Sequence, residues 1–169
     1  MILETERLLL RPTSEEDAPF LLELVNSPGW LEFIGDRKVY TEEEAREYIR
    51  KRILPQFERL GHSNFTVIRK SDQAKIGSCG LYDREGIEGV DIGFAFLPAY
   101  HGYGYAFESA QRVMAAGMEH FSIKNIKAIT VKNNLASQKL LEKLGLVYLR
   151  DTRIPGDDEV LMLYEIQIP

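Results

Sequence analysis

The chain has 169 residues, 44% hydrophobic and 28% charged, which fits one folded domain over residues 1–169 with a full core and excludes a disordered chain. Its net charge of −5 argues against nucleic acid as a main partner, because binding a phosphate backbone needs a basic face. Cys79 is the only cysteine, which excludes an internal disulfide and fits a reducing compartment, and no apolar run approaches the roughly 20 residues of a membrane span.

The opening Met1-Ile2-Leu3-Glu4-Thr5-Glu6-Arg7 is too short and too charged for a signal peptide, so a soluble cytoplasmic protein with no membrane partner is expected. Glu6 to Arg11 reads as a first strand, ended by Pro12-Thr13-Ser14. Ser14 with Asp17 is a capping signal for a helix carrying Phe20, Leu21, Leu24 and Val25. Asn26-Ser27-Pro28-Gly29 stops it. Thr41-Glu42-Glu43-Glu44 opens a second helix, with Ala45, Tyr48, Ile49 and Ile53 at helical spacing. Pro55 should kink or end that helix, although Phe57 and Leu60 continue the stripe to Gly61.

Three strands follow, Ser63 to Lys70, Lys75 to Tyr82 and Ile87 to Phe96, with turns at 71–73 and 84–86 that make an antiparallel meander. Ala106, Phe107, Ala110, Val113, Met114, Met118 and Phe121 then mark an amphipathic helix. Asn125 to Val131 reads as a strand, Asn134 to Leu144 as a short helix stopped by Gly145, and Leu146 to Arg153 and Val160 to Ile168 as two last strands. The order β-α-α-β-β-β-α-β-α-β-β implies a mixed α/β layered fold. One strand–helix–strand crossover near residues 90 to 131 should join parallel or splayed strands.

Function concentrates in one turn. His101-Gly102-Tyr103-Gly104-Tyr105-Ala106 carries the chain from the third meander strand into the long helix. A helix start has free N–H groups and a partial positive charge, and glycines let a phosphate approach them. By spacing alone the turn is equally a tight connection. It is neither a P-loop, since no Gly-Lys-Ser/Thr follows, nor a Rossmann fingerprint, since position 107 is Phe.

The segment resembles the acyl-CoA motif of the GNAT acetyltransferases, Gln/Arg-x-x-Gly-x-Gly/Ala, with His101, Gly104 and Ala106 at the three defined positions. Gly104 and Ala106 match; His101 departs. Asp91-Ile92-Gly93-Phe94 is similar to the family's acidic-x-Gly-aromatic fourth strand, and Asn133 to Leu146 to its Asn-x-x-Ser…Leu-x-Lys-x-Gly-Phe signature, with Leu146 in place of Phe. The opening Glu4 to Pro12 resembles the branch of ribosomal-protein N-terminal acetyltransferases.

The resemblance implies a twisted, mostly antiparallel sheet, splayed parallel fourth and fifth strands, and helices on both faces. It implies acetyl-CoA as cofactor, no metal, and direct attack by a primary amine of a small molecule or peptide. The cofactor would lie along Phe94, Ala95 and Phe96, with its pyrophosphate on His101 to Ala106 and further contacts to Asn134 and Lys139.

Asp91 is the first candidate base, directly or through water, with His101 an alternative. Ser137 is the candidate acid, with Tyr148 an alternative. The same resemblance makes Trp30, Phe33, Ile34, Asp36 and Arg37 the wall of an acceptor groove. Bland readings stand beside these: an exposed Asp91, an N-cap at Asn134, a solvated Lys139, a packing Cys79 and an ordinary core corner at Trp30. A binding module without turnover is the alternative function, and monomer or homodimer stays open.

Overall fold

The computed structural model describes residues 1–169. Eight strands form one sheet in the order β1-β2-β3-β4-β5-β6-β8-β7. They are β1 (Leu3–Glu4), β2 (Leu8–Pro12), β3 (Asn64–Arg69), β4 (Ala74–Tyr82), β5 (Val90–Phe96), β6 (Asn125–Val131), β7 (Val147–Thr152) and β8 (Leu161–Gln167). The helices are α1 (Ala18–Val25), α2 (Pro28–Phe33), α3 (Glu42–Tyr48), α4 (Leu54–Leu60), α5 (Tyr105–Phe121) and α6 (Leu135–Lys143). Every neighbouring pair of strands is antiparallel except β5 and β6.

Strand alternation sorts the two faces. The register aligns Leu8, Leu10, Phe65, Val67, Cys79 and Ile92 on one face. There α5 buries Ala110, Val113, Met114 and Ala116, and α6 adds Leu141. Asp91, Gly93 and Ala95 point to the other face. That side carries the N-terminal helices: Phe20 and Leu24 pack with Leu97 and Ala95, and Asp17 hydrogen-bonds to Thr66.

Three expectations are refined. Residues 87–89 are not strand, because Gly86 and Gly89 adopt φ of +89° and +81°, which breaks the extended run before Val90. Pro28 starts the six-residue α2 where a plain stop was expected. Pro55 neither ends nor breaks its helix. Ile49–Ile53 widens into a π turn, in which the Leu54 N–H reaches Ile49 O, and α4 continues to Gly61, in the left-handed region at φ +81°. The wider turn absorbs the proline ring that a regular i−4 ladder would exclude.

The crossover behaves as the sequence implies. β5 and β6 pair in parallel only at Val90–Ile126 and Asp91–Lys127. Beyond that point the strands separate, and α5 connects them on the core face.

Candidate active site

The wedge between β5 and β6 has a definite chemistry. The Leu97 N–H donates to Ile76 O, so the odd-numbered residues of β5 turn their backbone groups toward β4. The even-numbered ones, Phe94 and Phe96, therefore turn theirs toward the wedge. Pairing with β6 has stopped by then, which leaves an open edge inside the sheet.

At the mouth of the wedge lies the glycine turn. The N–H groups of residues 102 to 107 make no hydrogen bond within the protein. Gly102 and Gly104 hold φ of +84° and +82°, a region that side chains disfavour. A Cβ at Gly102 would meet nothing within 4 Å, and one at Gly104 only Arg7 Nη2 at 3.5 Å. The glycines are thus required by backbone conformation, and the side they leave open can receive a ligand. Consecutive free N–H groups at the start of the 17-residue α5 suit an anion such as a pyrophosphate.

His101 does not join that cradle with its Nε2. It sits 2.8 Å from Phe96 O, and because a carbonyl only accepts, Nε2 donates. The position that usually offers Gln or Arg is here turned back onto the strand. The cation beside the turn comes instead from Arg7, whose guanidinium lies 4.4 Å over the Tyr105 ring. Arg7 is held by Glu108, in the first turn of α5, at 2.6 Å, and Thr5 Oγ1 donates to the same carboxylate at 2.6 Å. Partial burial works against the charge of Glu108, but these donors outweigh it and lower its pKa. Arg7 and Glu108 were not read as site residues from sequence. The match of Thr5-Glu6-Arg7 to the acetyltransferase opening was the available signal.

Asn134 caps α6 at the other side of the wedge mouth, accepting from the Ser137 N–H at 3.2 Å. The Ser137 hydroxyl makes no hydrogen bond to protein and is half-buried. Lys139 is exposed. Lys143 Nζ, at the C-terminal end of α6, lies 4.2 Å over the Phe107 ring in the first turn of α5. Tyr148 is exposed and donates to Asp151 at 2.9 Å, which raises its pKa and commits its proton.

Asp91 lies at the vertex of the wedge, where the strands still pair. It is 1% exposed, which removes the reading of a solvent-facing carboxylate. Burial raises its pKa, and the charge of Arg84, with Nε 3.1 and 3.2 Å from the two carboxylate oxygens, limits that rise. The Tyr82 ring fills the space over Gly93, where an added Cβ would come within 2.8 Å of it, and its hydroxyl donates to Asn64. Tyr82 and Arg84 also escaped the sequence reading, since nothing in their spacing ties them to Asp91.

The expected acceptor wall is divided. Trp30 packs against the cluster of Phe20, Leu24 and Leu97, and its indole N–H is buried without a protein partner. Phe33 is half-buried on the same helix. Ile34 and Asp36 are exposed, and Asp36 bonds the Lys38 N–H and the Tyr40 hydroxyl. Arg37 lines a recess of about 200 Å³ with Lys38, Glu44 and Tyr48, apart from Trp30, Phe33 and Asp91. Cys79 is fully buried, and burial pushes its thiol up to about 12, which leaves it a packing residue.

Residues 7–147 match the family described as "Acetyltransferase (GNAT) domain". The chain is 28% identical over 146 residues to the uncharacterized N-acetyltransferase YnaD of Bacillus subtilis, covering 86% of this chain and 82% of that protein. It is 29% identical to the uncharacterized N-acetyltransferase p20 of Bacillus licheniformis, covering 85% and 80%. Among solved structures, a GNAT-family acetyltransferase from Bacillus anthracis superposes with a TM-score of 0.80 at 27% identity, covering 99% and 98% of the two chains. The ribosomal L7/L12 α-N-protein acetyltransferase RimL, solved with coenzyme A, shares the fold with a TM-score of 0.84 at 20% identity, covering 99% and 98%.

Proposed function

This chain belongs to the GNAT family of acetyltransferases, and from that premise we propose how its own residues perform acetyl-CoA-dependent N-acetyl transfer. The observation that carries the reading is the wedge: free N–H groups of residues 102 to 107 at its mouth, open backbone along Phe94 and Phe96, and a buried carboxylate at its vertex.

When bound, acetyl-CoA supplies an already activated thioester. The N–H groups of residues 102 to 107 would hold its pyrophosphate, helped by the partial positive charge of the α5 start. Phe94 N–H and C=O and Phe96 N–H offer hydrogen bonds to its amide-bearing arm, in the manner of an added strand. Phe96 C=O is already taken by His101. Asn134 fixes the start of α6 beside the same mouth.

Asp91 accepts the proton that the acceptor ammonium must lose before its nitrogen can attack. A carboxylate whose pKa is raised by burial is a better base than an exposed one. Acetyl transfer would form the C–N bond as the C–S bond breaks; the proton that the nitrogen sheds on acylation would leave through water, and Ser137, the only candidate acid whose proton is not already committed within the protein, would pass a proton to the leaving sulfur and regain one from water. The acceptor is a primary amine of a small molecule or a peptide. The unpaired Ser137 and buried Asp91 favour turnover over a binding module.

Titration of acetyl-CoA by calorimetry tests the assignment. Wild-type protein should bind, and Gly104→Glu should weaken binding by more than about a hundredfold, because it sets a carboxylate against a phosphate. Equal affinity in the variant would refute the cradle.

A further inference from the structure

We infer that the amine acceptor carries a carboxylate close to its amino group, and that Arg84 reads it. The inference rests on the acetyl-transfer reading above and names the substrate class of that same site.

Arg84 hydrogen-bonds Asp91 through Nε alone; its Nη1 and Nη2 make no hydrogen bond within the protein. Its side chain is 31% exposed, whereas the carboxylate beneath it is sealed. The guanidinium therefore presents its outer edge to solvent while its inner edge grips the candidate base. That outer edge is a two-pronged donor, the geometry that matches a carboxylate. The guanidinium carbon also lies 5.8 Å from the Tyr82 ring centre, and that ring covers Gly93 beside Asp91. Tyr82, Arg84 and Asp91 thus line one patch of the acceptor face.

The charges of that patch favour one kind of guest. A plain alkylammonium approaching Asp91 would arrive beside a fixed guanidinium, and two like charges at that range oppose binding. An amine with a nearby carboxylate meets no such conflict. Its carboxylate faces the outer edge of Arg84, which holds its amino group beside the Arg84–Asp91 pair, and its proton reaches the sealed Asp91 through water. The acidic side chains of the neighbouring loop leave that edge free: Asp83 is paired with Arg59 at 2.9 Å, and neither Glu85 nor Glu88 bonds Arg84 through its carboxylate.

Matched acceptors test this. Thiol release would be measured with free α-amino acids against their α-carboxamides, and with peptides beginning in Asp against the same peptides beginning in Asn. The two arms separate a free amino acid from an acidic peptide as the source of the carboxylate. In at least one arm the carboxylate member should have kcat/KM at least about tenfold higher, the worth of one charge-assisted pair. Arg84→Gln should bring that ratio close to one, and Arg84→Lys should keep part of it.

A wild-type enzyme that prefers the carboxamides overturns the inference. So does an unchanged ratio in Arg84→Gln, or acetylation of plain amines with no carboxylate-bearing acceptor used. Acetyl-CoA titration of the same preparations, variants included, keeps the two levels apart. Binding without carboxylate preference sinks only the acceptor class, while absence of binding in wild type sinks the acetyl-transfer reading itself.

Discussion

The wedge between β5 and β6 and the face under α1 to α4 share β5 but are built from different atoms. The wedge is made of backbone: N–H groups of residues 102 to 107 and the edge at Phe94 and Phe96. The opposite face is made of side chains in hydrogen-bonded series. Tyr82 reaches Asn64, Asn64 reaches Thr13, Thr13 pairs with Thr66, and Thr66 donates to the buried Asp17. A backbone site tolerates most side-chain changes and fails when a glycine is lost. A side-chain site can change its ligand with one substitution. The two halves therefore suit a constant donor and a variable acceptor.

The largest expected effect breaks the acceptor half at its base. Asp91→Asn should lower kcat/KM by about 10²- to 10⁴-fold, the usual contribution of a positioned base, with acetyl-CoA affinity unchanged by calorimetry. The pH profile sharpens the same point. Because burial raises the Asp91 pKa, activity should fall as pH drops through a limb above the ordinary carboxylate value of about 3.9. The residual activity of the variant should lack that limb.

Next comes the scaffold beneath it. Asp17 is fully buried and accepts from Arg11 at 2.7 and 3.0 Å, and Lys75 Nζ lies at 2.8 Å. Burial alone would raise its pKa, but those cations and the Ser14 N–H lower it to about 2. A folded pKa below the unfolded value of about 3.9 means stability that is full above that value and lost as pH falls toward 2, worth about 2.5 kcal/mol. Asp17→Ala should cost about 2–3 kcal/mol in urea unfolding, because it leaves the buried Thr66 hydroxyl and the partly buried Arg11 and Lys75 without their acceptor. Acetyl-CoA affinity of the protein that remains folded should stay the same, since the wedge does not use this network.

The smallest effect probes the seam between the halves. Ser137→Ala should slow turnover about tenfold without weakening acetyl-CoA binding, because a thiolate leaves readily even without a strong acid. A loss of binding instead would make Ser137 part of the cradle.

The contrast also explains what the sequence made legible. The geometry of the wedge mouth was readable because its requirement is local: positive φ at Gly102 and Gly104, a helix start at Tyr105 and a cap at Asn134 lie within short windows. The long elements were readable for the same reason, since α5 and β6 carry uninterrupted periodicity. Short elements without a full period, β1 and α2, were missed. Ile87 looked like strand because it is apolar, yet it is buried from a loop bounded by Gly86 and Gly89.

The side-chain cluster around Asp91 was opaque because its members meet only in space. Arg84 touches Asp91 across a turn and Tyr82 is fixed by Asn64 from another strand; at the wedge mouth the same holds for Arg7, which meets Glu108 from about a hundred residues away. Trp30 looks like an anchor by residue type, and its ring packs against the cluster of Phe20, Leu24 and Leu97.

Amide hydrogen exchange tests the central claim most directly. The N–H groups of residues 102 to 107 have no partner in the protein and should exchange quickly without ligand. Saturating acetyl-CoA should slow exchange at these amides and at Phe94 and Phe96. Exchange at residues 102 to 107 that stays equally fast in bound protein would contradict the account.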